Sequence, residues 1–319
     1  MSLSESTHRN RFRPILTTLE GRDTPASGPA SGYLASGAIA GGLPLVEVQS
    51  PNGSVLAQFD AFESDFRGGV RVAIGNVDGN SNVVDVVAVP GPGGGPIIRV
   101  FAVNITTGQV TQDASFYAFD SGFRNGLRVA VGQILPPGEG TTGTIGVNLN
   151  EQIIVGADAG GGPRVSIFQL QNGTGAQIPG PLGNFFAFDS NFRGGVRVAA
   201  GNVDGNVQGE DQLIVGTGPG ITPDVRVFNS DGSVIEDDTP TNTDSANGVN
   251  VAYAPPLGLE GGLILTDGLT PDYSQRNALL NSDSTSELPQ SPPPSQNLTT
   301  TNAPINLSSI FDSAPLMLQ

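Results

Sequence analysis

Short runs of β-branched and aliphatic residues, broken by Gly and Pro, recur through residues 41–268. Runs of four to six such residues between Gly/Pro turns read as strands. They also come in a fixed order. Residues 59–75 read FDAFESDFRGGVRVAIG, residues 116–132 read FYAFDSGFRNGLRVAVG, and residues 185–201 read FFAFDSNFRGGVRVAAG. A second shared stretch follows each: DVVAVPGPGGGPIIRVF at 85–101, QIIVGADAGGGPRVSIF at 152–168 and QLIVGTGPGITPDVRVF at 212–228. Equivalent Phe62, Phe119 and Phe188 lie 57 and 69 residues apart. A self-similar period of this size marks a repeat architecture.

Each module predicts four strands; in the third these fall near 184–189, 195–203, 212–217 and 224–229. The ends of the repeat region hold partial modules. Residues 41–59 match the later part of a module and residues 247–268 the earlier part. The pattern predicts an all-β propeller of about four four-stranded blades, one of them completed from both termini. The strand near 44–49 would then pair with that near 263–267. A ring of radial blades leaves only short protected edges; the alternative is an open stack of capped repeats.

Twelve of the fifteen Phe stand at four equivalent places per module: Phe59, Phe62, Phe66, Phe101; Phe116, Phe119, Phe123, Phe168; Phe185, Phe188, Phe192, Phe228. They read as inter-blade core, since aromatics bury the most area per residue; an aromatic ligand cage is the other reading. The flanks differ in kind. Residues 1–40 read as a disordered, export-like N-terminal segment, and residues 269–319, rich in Ser, Thr, Asn and Pro, as a disordered low-complexity tail.

Composition narrows the function. Gly (45) and Pro (25) are abundant and Cys is absent, so disulfides, thiol nucleophiles and thiolate metal sites are excluded. His8 is the only histidine, which sets aside Ser-His-Asp, Cys-His and His-ligated zinc chemistry. Thirty acids against fourteen bases give a net charge of −16. Such a chain lacks the basic footprint that nucleic acid requires, and no apolar run is long enough for membrane insertion. GPGGGP at 91–96 leads into a strand rather than a helix, so it reads as a turn and not a phosphate cradle.

All fourteen bases are Arg, and nine recur in register: Arg67, Arg124, Arg193; Arg71, Arg128, Arg197; Arg99, Arg164, Arg226. Glu63 or Asp65, Asp120 and Asp189 lie just upstream in the three modules. Arg–carboxylate pairing between blades is one reading, an anion or polysaccharide site the other.

Two loops alternate oxygen-bearing side chains. GNVDGNSNVVDVV carries Asn76, Asp78, Asn80 and Asp85; GNVDGNVQGEDQLIV carries Asn202, Asp204, Asn206 and Asp211. Alternating Asx residues around a Gly turn supply hard oxygens of the kind calcium takes, or form self-capping Asx turns. These modules resemble the FG-GAP/VCBS-type repeats of integrin-α-like β-propellers, the bacterial surface forms in particular. The family loop runs GDxNGDGxxD before a DIVVG-like strand. The resemblance covers residues 41–268 and implies loop-bound calcium. Asn at 76, 80, 202 and 206 stands where the family has Asp, and Gln212 where it has its last acid; module two has Gln133, Ile134 and Leu135 in place of the loop. Fewer carboxylates predict weak binding. RPILTTLEGRDTPAS resembles a short basic segment opening many such surface proteins, and implies export.

The residues thus predict a non-catalytic extracellular or cell-surface scaffold that binds a protein or polysaccharide. Alternatives are a lectin-like propeller and a carboxylate-based glycoside hydrolase. The acids unique to one module (Glu139, Glu151, Asp158, Glu210 and Asp224) are the candidates for the last.

Overall fold

In a computed structural model, residues 32–136, 150–204, 210–238, 247–254 and 262–267 are described. They form eighteen strands and no helix. Blade one holds β1 (Leu34–Gly37), β2 (Leu45–Gln49) and β3 (Val55–Asp60). Blade two holds β4 (Val70–Gly75), β5 (Val83–Pro90), β6 (Ile97–Asn104) and β7 (Val110–Tyr117). Blade three holds β8 (Leu127–Gly132), β9 (Gln152–Ala157), β10 (Arg164–Gln171), β11 (Thr174–Gln177) and β12 (Asn184–Phe186). Blade four holds β13 (Val196–Gly201), β14 (Gln212–Thr217), β15 (Val225–Phe228) and β16 (Val234–Asp238). Blade five holds β17 (Val249–Ala254) and β18 (Gly262–Asp267).

Every blade is an antiparallel meander, ordered as the chain runs. In blade three the fourth strand is split: β11 and β12 pair with the two ends of β10, and the Gly/Pro segment between them bows out. The first strands lie side by side, β4 on β8, β8 on β13 and β13 on β17. In blades two, three and four the first and second strands are buried on both faces, so they read as continuous apolar runs rather than alternating ones.

The core consists of four layers, one between each pair of adjoining blades. The repeated Phe sit there. Phe59 packs on Phe101 with ring centroids 4.7 Å apart, Phe116 on Phe168 at 5.4 Å and Phe185 on Phe228 at 5.2 Å. In each pair the last strand of one blade meets the third strand of the next. The core reading of these residues holds at all three boundaries.

Two expectations about the ends are corrected. The repeat region starts before residue 41, because β1 spans Leu34–Gly37 and pairs with β2. β2 is therefore hydrogen-bonded on both edges, by β1 and β3, and has no edge for the 263–267 strand. That strand, β18, pairs with β17 instead. The N-terminal part supplies three strands rather than two. The other expectations for residues 1–31 and 268–319 lie outside the described residues.

Candidate functional site

The recurring Arg take three roles, set by their place in the module. Arg67, Arg124 and Arg193 curl back on the turn that precedes each first strand, donating to the carbonyls of Ser64 and Phe66, Ser121 and Phe123, Ser190 and Phe192. Their own carbonyls accept from Gly41, Gly93 and Gly160 of the preceding blade at 2.7–2.8 Å. These glycines have φ near +90°, a conformation L side chains rarely adopt.

Arg99, Arg164 and Arg226 lie over the rings of Phe62, Phe119 and Phe188 at 5.0–5.1 Å, each from one blade onto the Phe before it. Arg99 also pairs with Glu63 at 2.6 Å, as the upstream-carboxylate reading expects. Asp65, Asp120 and Asp189 take no such part; the latter two cap their own turns, at Gly122 and Asn191.

The third set departs from that reading altogether. Arg71, Arg128 and Arg197, one from each of three neighbouring first strands, converge on Asp158. Arg71 Nη2 lies 2.6 Å from Oδ2; Arg128 Nε and Arg197 Nη1 lie 3.3 and 3.2 Å from Oδ1. Asp158 follows β9 in blade three, where blades two and four have Gly91 and Gly218. A Cβ at those glycines would lie 2.1 Å from Gly68 O and 1.9 Å from Gly194 O, so neither blade accommodates the acid. Burial alone would raise the Asp158 carboxyl, but Arg128, Arg71 and Arg197 outweigh it and hold it below the ordinary range. Burial, and then repulsion from Arg128, pull Arg71 and Arg197 down to about 10.

The calcium-like loops part ways. In both, a residue at the start of the second strand closes the loop from below. Asp85 Oδ2 accepts from Val77 N and Asp78 N at 2.7 and 3.0 Å. Gln212 Oε1 does the same for Val203 N and Asp204 N, and Gln152 Oε1 for Ile134 N and Leu135 N in blade three. Asp85 is thus the structural equivalent of the two glutamines. The Gln amides also donate, to Asn150 O and Glu210 O. Asp85 has no such donor, and its Oδ1 is buried without a partner. Asn76 Oδ1 accepts from Gly79 N three residues on, and Asp78 and Asn80 form successive Asx turns, accepting from Asn80 and Asn82.

Asp113, on β7, completes a group that sequence alone does not reveal. Ligand oxygens of Asp78, Asp85 and Asp113 lie within 4.8 Å of one another. Burial, then the charge of Asp78, push Asp85 up to about 8 and raise Asp113. The orphaned oxygen and the three close carboxyls fit a hard cation. Among the described residues, the second loop brings no such group of carboxyls together. Asp211 reaches across to blade three, where Oδ2 accepts from Gln133 N at 2.7 Å, and Gln212 carries no charge. The Asn202 carbonyl accepts from Tyr253 Oη, and Asn206 lies outside the described residues.

Of the acids unique to one module, Glu151 accepts from Asn76 N and Asp158 holds the three Arg. Asp224 is pushed up to about 6 by burial and a hydrogen bond with Asp237, and Arg226 bridges both. Glu139 lies outside the described residues.

Four-stranded antiparallel blades joined through their first strands define a β-propeller-type protein. Similar solved structures are the Dos1 propeller (14% identity, TM-score 0.41, 70% of this chain and 47% of that one) and Saccharomyces cerevisiae Sqt1 (10%, 0.40, 68% and 51%). A third is the exotype rhamnogalacturonan lyase YesX (12%, 0.30, 75% and 50%). The chain spans about half the length of each of these chains. No protein-family model and no curated protein matches it. Among the described residues, no helix is long and apolar enough to cross a membrane.

Proposed function

We propose that the chain is a non-catalytic extracellular or cell-surface scaffold, FG-GAP/VCBS-like, that binds a protein or polysaccharide partner and holds calcium at one loop, in blade two. The buried, unpartnered Oδ1 of Asp85 carries the calcium part of this reading. A carboxylate oxygen cut off from water needs either a proton or a cation, and Asp78 and Asp113 stand within reach of the same ion. Three carboxylates and partly exposed surroundings suit the extracellular range of affinity, about 0.1–1 mM.

The non-catalytic part is supported by how the unique acids are used. Glycosidase carboxyls stand about 5–10 Å apart with the sugar between them. Asp224 and Asp237 instead touch, while Glu151 and Asp158 are bound to backbone and Arg. Calorimetric titration of the full chain with calcium tests the proposal. One site of sub-millimolar to millimolar affinity is expected; no heat and no rise in melting temperature at 10 mM calcium, about tenfold over the weakest expected Kd, would overturn it.

A further inference from the structure

Arg71, Arg128 and Arg197 place three positive charges around one carboxylate, a local surplus of two. Their side chains are 22, 28 and 12% exposed, against 6% for Asp158, so the cations and not the acid line the solvent side. A structural ion pair needs one Arg per carboxylate, and like charges packed together oppose one another. Each guanidinium has five N–H donors. Arg71 uses Nη1 on Leu127 O and Nη2 on Asp158, and Arg197 uses Nε on Asn250 Oδ1 and Nη1 on Asp158. Arg128 uses Nε alone, and neither of its terminal amino groups has a protein partner among the described residues.

We propose that Arg71, Arg128 and Arg197 form a binding site for a doubly charged tetrahedral oxyanion, a sulfate or phosphate group. Such an ion cancels the surplus of two and takes the forked N–H pair that Arg128 leaves free, the bidentate geometry in which Arg recognises phosphate and carboxylate. Burial first, and then the charge of Arg128, lower the proton affinity of Arg71 and Arg197, and a bound dianion would oppose both effects. Asn250, at the matching position of β17, supplies a neutral fourth wall through Arg197. The site shares no residue with the Asp78–Asp85–Asp113 group and stands independently of the calcium reading.

The group can belong to a free inorganic ion or to a sulfated or phosphorylated sugar; the chemistry at the Arg is the same. The full chain is titrated calorimetrically with sodium sulfate, sodium phosphate and glucosamine 6-sulfate, with ionic strength held by sodium chloride. One saturable site is expected for at least one of these, with chloride not competing. Tenfold or tighter binding of the sugar ester than of sulfate identifies the ester as the ligand; the reverse identifies the free ion. Arg128→Gln should weaken binding at least tenfold while keeping the melting temperature within a few degrees, and Asp158→Asn should tighten it by removing the competing carboxylate. Should Asp158→Asn fail to fold, the Arg128→Gln comparison decides alone. Absence of saturable binding, or equal binding by wild type and Arg128→Gln, overturns the proposal.

Discussion

Glu151 and Asn76 exchange two hydrogen bonds across the boundary between blades two and three: Asn76 N donates to Glu151 Oε2 at 2.8 Å, and Glu151 N donates to Asn76 O at 2.9 Å. Asp211 and Gln133 repeat the exchange one boundary on, at 2.7 Å for both bonds. The acid just before the second strand of blades three and four is therefore a clasp on the preceding blade.

Glu151→Ala should lower stability by about 1–3 kcal/mol, the cost of leaving a charged hydrogen bond unmade at a mostly buried site. Glu151→Gln keeps an acceptor oxygen and should recover part of the loss. Urea unfolding followed by far-UV circular dichroism measures both; an Ala variant as stable as wild type would remove the clasp from the account.

Asp85→Gln installs the residue that blades three and four carry at the same place. The amide keeps an oxygen for Val77 N and Asp78 N and gains a donor where Oδ1 now has none. Without calcium, the variant should be more stable than wild type at pH 8 by more than about 1 kcal/mol, since one pKa unit is worth about 1.4 kcal/mol. The same change should abolish the rise in melting temperature with calcium.

The pH dependence has a definite sign. Asp85 titrates at about 8 in the fold, above the ordinary Asp value, so the folded state holds its proton more tightly than the unfolded chain. Its contribution is full below about pH 4 and fades as pH rises to about 8. In chelator, the stability of wild type relative to Asp85→Gln should fall across that window and level off above it. Saturating calcium should flatten the curve. A flat difference curve in chelator would show that the carboxyl is ionised throughout.

Asp113→Asn should weaken calcium binding at least tenfold, whereas Asp204→Asn should leave it unchanged, because among the described residues the clustered set of acids is that of the blade-two loop. Calorimetry on the two variants separates one site from two.

Phe101→Ala should cost about 3–5 kcal/mol, the range for a buried aromatic replaced by Ala, and Phe168→Ala and Phe228→Ala should cost about as much. Tyr117→Ser, at a side chain 59% exposed, serves as the control with little effect. Thermal melts of the four variants check the ranking.

Much of this was legible because the modules copy one another. Equivalent Phe had to occupy equivalent places, and the boundaries between blades follow from that alone. The Arg71–Asp158 contact was not legible from proximity, since 87 residues separate the partners. A signal did exist: within aligned modules, Asp158 replaces Gly91 and Gly218. A singleton acid facing a repeated Arg is what a shared centre leaves in a sequence. Asp113 left no comparable trace; it sits beside the β-bulge between Val100 and Phe101, and a bulge shifts which residues face one another. β1 escaped because LASG is short and small, below the threshold at which an apolar run stands out.

The stacking of Phe101 on Phe59, and of Arg99 over Phe62, has a direction: each blade grips the one before it and offers the same surface to the one after. Contacts of this kind are heterologous, and nothing in them counts the members of the series. The number of blades is then set by whatever ends the row, not by the boundaries themselves. Duplication or loss of one 57-residue segment, the Phe62-to-Phe119 period, would lengthen or shorten the protein while leaving every surviving joint as it was. Evolution of such a chain can proceed by whole units, with the single Asp158 as the part that cannot be copied without changing the balance of charge at the centre.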